Sequence, residues 1–317
     1  MKQETVLIIG ANGQIGTALL PELQHRFGAD QVIGADLRKP AAEGHRFLQL
    51  DATRADDLAD IVQTHGITQI YHLAAVLSAK GETDPIATWN LNMQTLLNVL
   101  EVARTFSLDK VFVPSSIAAF GDQAPKYETP QTASLDPATV YGISKVAAEN
   151  WQLYYHKRYG LDIRSLRYPG VISYQSMPGG GTTDYAVAIF HEAVKGNNFE
   201  CFLDKDTLLP MIYMDDAIRA TLELMEAPAD RIRVRTSYNL AGMSFTPAQL
   251  TTEIQQYFPA FTTEYKPDFR QQIADSWPKS IDDSIARRDW GWQPAFDLPR
   301  MTREMIHQLT ALYQQTA

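Results

Sequence analysis

The sequence predicts an α/β fold, a doubly wound parallel sheet with a smaller C-terminal domain, and three observations carry that prediction. Short β-branched and apolar runs alternate with longer helical patterns through the first half of the chain. Repeated strand-to-helix connections make a parallel sheet covered on both faces. A glycine-punctuated loop joins the first strand pattern directly to the first helical one. Finally, 317 residues with 45% apolar content suffice for a sizeable core and about two domains.

Taken in order, residues 6–9, 31–35, 46–50, 69–73 and 110–114 read as strands because their apolar runs are short and bounded by polar or turn residues. Residues 15–27, 55–65, 89–106 and 140–159 carry the helical period. Further strands are expected at 161–166 and 233–240. The stretch between them is less regular, contains Pro178-Gly179-Gly180-Gly181, and reads as a capping insertion. From Pro247 onward the composition turns to Pro, Trp and amides, as in Trp277-Pro278 and Trp292-Gln293-Pro294.

Composition excludes several classes of function. Lys and Arg number 28 against 37 Asp and Glu, a net charge of −9, so the basic footprint of a nucleic-acid binder is absent. The one cysteine, Cys201, can form neither an internal disulfide nor a thiolate zinc site, and reads as a buried apolar filler in a reducing, cytoplasmic setting. The seven histidines show no metal-ligand spacing, which speaks against a zinc alcohol dehydrogenase mechanism. Met1 to Glu4 leads straight into Val6-Leu7-Ile8-Ile9 without a basic leader, and no apolar run approaches the length of a membrane span.

The loop is Gly10-Ala11-Asn12-Gly13-Gln14-Ile15-Gly16, spaced GxxGxxG. Glycine lacks the Cβ that would keep a pyrophosphate from backbone N–H groups and the positive helix N-terminus. Strand, glycine loop and helix in that order are the arrangement of a Rossmann-type dinucleotide site, although the spacing is one residue longer than the GxGxxG fingerprint and a glycine turn that merely joins strand to helix is the other reading. Asp36 ends the second strand, where a carboxylate bonds the adenosine ribose hydroxyls and repels a 2′-phosphate. NAD is therefore expected over NADP, although Arg38, two residues on, is able to hold a phosphate. Leu37 and Arg38, and the Asp51-Ala52 pair after the third strand, complete the adenosine end. For Asp51 an exposed strand-end acid is an equally good reading. Leu73, Ala74 and Ala75 after the fourth strand are small enough for a cofactor to lie against.

Tyr141 and Lys145 stand four apart, on one face of a helix that follows a strand ending in Pro114-Ser115-Ser116. A hydroxyl, a phenol and an ammonium make a coherent acid/base set for an alcohol. A phenol pKa of ~10 is too high for a base at neutral pH unless neighbouring positive charge favours the phenolate, and Lys145 and the positive nicotinamide both supply it; a tyrosine packed in the helix beside a solvated lysine is the alternative reading. Tyr141 then takes the hydroxyl proton, Ser116 holds the same oxygen, and Lys145 also bonds the nicotinamide ribose.

These motifs together with Asn92, Leu166-Arg167-Tyr168-Pro169 and Ile212-Tyr213-Met214-Asp215-Asp216 resemble the extended short-chain dehydrogenase/reductase superfamily. The resemblance implies Tyr141 as acid/base, Lys145 as its modulator, Ser116 as substrate-oxygen holder and Asn92 as support for a water relay. It also implies cofactor contacts at Ser115, Tyr168 and Val171, and a homodimer through helices 89–106 and 140–159. Residues 1–170 with about 213–240 form the NAD-binding domain, and about 171–212 with 241–317 the substrate-binding domain. Nucleotide-sugar members usually carry an Arg shortly before Ile212-Tyr213, where this chain reads Leu208-Leu209-Pro210-Met211.

Segments from Pro114 to Gly121, Pro178 to Tyr185, Ser237 to Phe245, Ala274 to Pro278 and Asp289 to Trp292 are similar to the short-chain L-threonine 3-dehydrogenase family. The expected substrate is then L-threonine. Gly181, Thr182, Thr183 and Asp184 precede a helical pattern and are expected either to receive its carboxylate and ammonium or to serve as a plain N-cap. Ser78 and Trp277 are further candidates for the same pocket. A nucleotide-sugar epimerase or dehydratase, and a non-catalytic NAD-sensing regulator, are the alternatives.

Overall fold

The computed structural model describes residues 4–39, 46–177 and 179–316. Its first half runs β1 (Val6–Ile9), α1 (Gln14–Phe27), β2 (Val32–Asp36), β3 (Phe47–Gln49), α2 (Ala55–His65), β4 (Gln69–His72), α3 (Ser78–Gly81), α4 (Pro85–Thr105), β5 (Lys110–Phe112), β6 (Ser115–Ser116) and α5 (Val140–Tyr159). The second half continues with β7 (Ile163–Arg164), β8 (Leu166–Tyr168), β9 (Gly170–Ile172), α6 (Tyr185–Val194), β10 (Phe199–Cys201), β11 (Leu209–Tyr213) and α7 (Met214–Glu226). It ends in β12 (Tyr238–Asn239), β13 (Met243–Phe245), α8 (Pro247–Gln255), β14 (Thr263–Tyr265), α9 (Arg270–Ser276), α10 (Ser284–Trp290) and α11 (Leu298–Thr316).

Six strands form a parallel sheet in the order β3-β2-β1-β4-β5-β7. Helices α2, α4 and α5 pack their apolar faces on one side, around Leu58, Leu96 and Ala148, and α1, α7 and α10 cover the other, around Leu19, Ala217 and Ala286. The strand order reverses between β1 and β4, so a ligand crevice opens beyond the carboxyl ends of those strands. A third core, with Phe190, Leu250, Trp277 and Met305, gathers α6, α8, α9 and α11 beside Ile117 and Phe120.

Several boundaries depart from the expectations for local reasons. Helix α4 starts a turn earlier than residue 89, because Asp84 accepts the Ala87 N–H and Pro85 sits in the first turn, where its missing donor costs nothing. The strand expected at 110–114 ends at Phe112. Pro114 has no N–H to continue the ladder, and β6 then turns to pair with β8 in a separate three-stranded sheet, β12-β8-β6. The run 161–166 divides likewise into β7, in the main sheet, and the start of β8. Only 238–239 of the run 233–240 is strand, since the N–H groups of Arg233 and Val234 go to the Tyr238 hydroxyl instead of a neighbouring strand. Pro178 of the glycine-rich segment lies outside the described residues.

Candidate active site

A cleft opens at the strand-order reversal. Gln14, Ile15, Leu73, Ala75, Ser115, Tyr168 and Val171 line it toward the glycine loop; Ser78, Ser116, Tyr141, Lys145, Gly181 to Asp184 and Trp277 line the remainder. Leu77, Pro114, Ile117, Pro169 and Gly170 also face it. Sequence reading missed these five, which are apolar or backbone contributors with no chemical signature.

The loop is shaped by close backbone approach. Gly10 has φ +88°, and a Cβ there would meet Ala74 N at 2.7 Å, so the turn packs directly on the end of β4. Gly16 is tighter still, its would-be Cβ 2.4 Å from Gly10 O. Helix α1 begins without a side-chain cap and without an acidic residue in its first turn. Its leading N–H groups therefore carry the partial positive charge that an anion satisfies.

Asp36 Oδ2 accepts the Asn12 N–H at 3.1 Å, and Asn12 Nδ2 donates to Arg38 O at 2.6 Å, tying loop to strand end. Leu37 is exposed, and its carbonyl accepts from Gln49. Gln14 Nε2 reaches Val171 O at 3.3 Å, which joins the loop to β9. Asp51 turns back on its own segment and accepts from the Thr53 N–H and hydroxyl at 3.0 and 2.7 Å, bonds that hold its pKa below the usual carboxylate value. The Ala52 carbonyl accepts from Asn98.

At the chemical end, Thr139 caps α5 by accepting the Gly142 N–H, which fixes the turn that presents Tyr141. Burial pushes the Tyr141 phenol up to about 12, and the nearby Ser116 hydroxyl pulls the other way. Lys145 lies with its Nζ 5.4 Å from the centre of the Tyr141 ring and donates to Pro114 O at 2.8 Å. Burial lowers its pKa to about 8. In the chain by itself desolvation dominates the Tyr141 phenol.

Other expected residues take different parts. Ser115 gives its hydroxyl to buried Glu149 rather than to the cleft. The Tyr168 hydroxyl pairs with Thr221 of α7, leaving ring and backbone for the cleft. Asn92 accepts the Val76 N–H at 2.8 Å and donates to Val76 O and Ser144 Oγ, pinning the segment after β4 onto α4 and α5. Ser78 and Thr182 are both buried, with hydroxyls 3.4 Å apart. Asp184 makes no cap to α6; its Oδ2 closes its own loop by accepting the Gly180 and Gly181 N–H groups, both at 2.8 Å, while burial raises its pKa. Trp277 is buried at the end of α9, packed in the third core as well as lining the cleft.

The sequence model of the NAD dependent epimerase/dehydratase family matches residues 6–241, from the first strand through β12. The chain belongs to this epimerase/dehydratase family. A mitochondrial L-threonine 3-dehydrogenase of Bos taurus is 50% identical over 309 residues, 96% of this chain and 82% of that one. The holo form of a GalE-like L-threonine dehydrogenase from Cupriavidus necator superposes with a TM-score of 0.95 at 55% identity, covering 96% of this chain and 99% of that one. A monomeric L-threonine 3-dehydrogenase of metagenomic origin, in its apo form, gives 0.95 at 47% identity over 97% and 99% of the two chains.

The cofactor of this epimerase/dehydratase family is NAD, and the crevice fits it. An uncapped helix N-terminus suits the pyrophosphate, and the Asp36 carboxylate stands one strand over for the ribose. Asp36→Ala is expected to relax the preference for NAD over NADP by roughly tenfold, an effect of about 1.4 kcal/mol. Comparing kcat/KM for the two cofactors checks this; unchanged selectivity assigns the discrimination elsewhere.

Proposed function

We propose that this chain oxidises L-threonine at its β-carbon with NAD, giving 2-amino-3-oxobutanoate. The observation that carries the reading is the composition of the cleft beyond Tyr141: hydroxyls, glycine backbone, Asp184 and Trp277, with Lys145 the only cation among the described lining residues. A sugar-nucleotide diphosphate asks for cationic partners there, whereas a small amino acid suits it. Thr182, Thr183 and the N-terminus of α6 receive the carboxylate, Asp184 faces the ammonium, and Ser78 holds Thr182 in place. The names of the similar dehydrogenases support the same substrate.

Bound NAD supplies the hydride acceptor and a positive charge beside the phenol. Ser116 orients the substrate hydroxyl, and Tyr141 takes its proton as the carbonyl forms. Lys145 stabilises the phenolate and reaches the ribose. Asn92 keeps the segment after β4 against α4 and α5, and Trp277 closes the pocket against water. Residues 1–170 with about 213–240 are assigned to cofactor binding, and about 171–212 with 241–317 to substrate.

Absorbance in the NADH band after mixing the protein with NAD and L-threonine tests the proposal, with L-allo-threonine, L-serine and NADP in parallel. NADH formation with L-threonine is expected. No NADH despite measurable NAD binding overturns the reading. We also propose a cytoplasmic protein that pairs with itself through α4 and α5, on the exposed Ile86, Ile143, Trp151 and Tyr154. Trp151→Glu is expected to leave a monomer in sedimentation, and an already monomeric parent chain overturns the pairing.

A further inference from the structure

Three consecutive residues at one strand end engage three successive turns of α5. The Pro114 carbonyl accepts Lys145 Nζ, the Ser115 hydroxyl donates to Glu149 Oε1 at 2.6 Å, and the Ser116 hydroxyl lies against the Tyr141 phenol. Tyr141, Lys145 and Glu149 are spaced four apart, so they share the helix face turned to that strand. Glu149 is almost wholly buried. Arg167 of β8 grips both of its oxygens, Nε to Oε1 at 2.9 Å and Nη2 to Oε2 at 2.7 Å. The guanidinium is itself fixed, with Nη1 on Asn239 Oδ1 at 3.0 Å and Gln131 O at 3.2 Å, and its Cζ 5.0 Å from the centre of the Phe120 ring.

A buried ion pair is a costly way to fill a core, since apolar residues of similar volume often serve stability as well. What this pair adds is a fixed negative charge one helical turn from Lys145. The groups facing Lys145 are Tyr141 and Glu149 on its own helix, His72 on β4, and Arg167 and Tyr168 on β8, while α4 presents neutral Asn92 and Thr95. Burial and Lys145 together hold His72 far down, at about 3, so it is uncharged. Of these groups, Glu149 is the one carboxylate, and paired with Arg167 it opposes the loss of charge that burial imposes on Lys145.

We propose that Glu149 is a positioning residue for the reaction: clamped by Arg167, its carboxylate keeps Lys145 an ammonium and ties the Ser115–Ser116 strand end to the helix face that carries Tyr141. Its catalytic consequence rests on the dehydrogenase reading above. Its electrostatic half does not, and is measured on the protein alone.

The test is a ¹³Cε NMR titration of Lys145 in the full chain, assigned by its loss in Lys145→Met. The parent midpoint is expected near 8. In Glu149→Gln it moves down by about one unit, a tenfold loss of ammonium at a given pH. Should that variant misfold around an unpaired Arg167, the double variant Glu149→Gln with Arg167→Met keeps an acceptor for Ser115 and leaves no buried guanidinium, and a smaller downward shift is expected, because the cation that opposes the Lys145 charge is removed with the carboxylate. In turnover the pH at which kcat stops rising follows the NMR midpoint downward, with the KM for NAD little changed. An unmoved Lys145 midpoint in a folded variant overturns the proposal. A shifted midpoint in a chain inert toward L-threonine upholds the Lys145 assignment and overturns the substrate reading instead.

Discussion

Tyr141→Phe is expected to lower turnover about 10²- to 10⁴-fold, the range for loss of one positioned acid/base group, while NAD still binds. The substitution removes one oxygen from a residue whose ring remains packed between Lys145 and the cleft wall, so the helix that carries it has no reason to move. The loss should fall on kcat rather than on KM, because the phenolic oxygen matters most while the proton is in flight. The pH dependence has a defined sign. In the oxidative direction the parent rate rises with pH as the phenol, which burial pushes up, gives its proton. It levels off above about 8, where each gain in phenolate is matched by a loss of the Lys145 charge that favours it. In the Phe variant the rising limb should vanish. Stopped-flow NADH formation across pH, with NAD binding followed by protein fluorescence, checks both statements. Turnover near that of the parent protein would remove Tyr141 from the chemistry.

How much of this was legible beforehand depends on the kind of signal each residue sends. Strand–loop–helix order and GxxGxxG spacing are local, so the glycine loop and Asp36 could be placed before any coordinates. The Tyr141–Lys145 pair was legible for the same reason, since a spacing of four fixes a helix face. Ser115 lines the cleft as expected, but a sequence does not reveal that its hydroxyl faces a carboxylate 34 residues away. Asp184 preceding a helical run invites an N-cap reading, yet the glycines before it offered two closer N–H groups. Glu149 and Arg167 form a contact between a helix and a strand that only the tertiary fold brings together. A signal for Glu149 was nonetheless present: the spacing of four that links Tyr141 to Lys145 continues one turn further. The small-residue lining of the cleft, Gly170 and Pro169, carries no chemistry to recognise and becomes visible only as shape.

The second large effect is expected from Gly16→Ala, which should weaken NAD binding about 10- to 100-fold without unfolding the chain. Gly16 lies in the first turn of α1, at a backbone conformation open to any residue, so the argument is one of space alone. A Cβ there would stand 2.4 Å from Gly10 O and 2.8 Å from Ala11 Cα and C. All three are backbone atoms of the loop, and no flexible side chain is available to yield. Overpacking of this kind costs about 1–3 kcal/mol. The loop is the part that can relax, since β1 on one side is locked between β2 and β4 and α1 on the other is buried through Leu19, Leu20 and Leu23. Relaxation moves Gly10 to Gly13 away from the helix N-terminus. The N–H groups that should meet the pyrophosphate then diverge, and the strain appears as lost affinity at about 1.4 kcal/mol per tenfold. Calorimetric NAD titration of the variant beside Gly179→Ala, whose added Cβ would find only Leu77 Cδ1 at 3.8 Å, separates a loop effect from a general cost of adding a methyl. NAD affinity unchanged in Gly16→Ala would show that the pyrophosphate is held elsewhere; a loss shared equally by both variants would show that the spacing of the glycine loop is not what sets it.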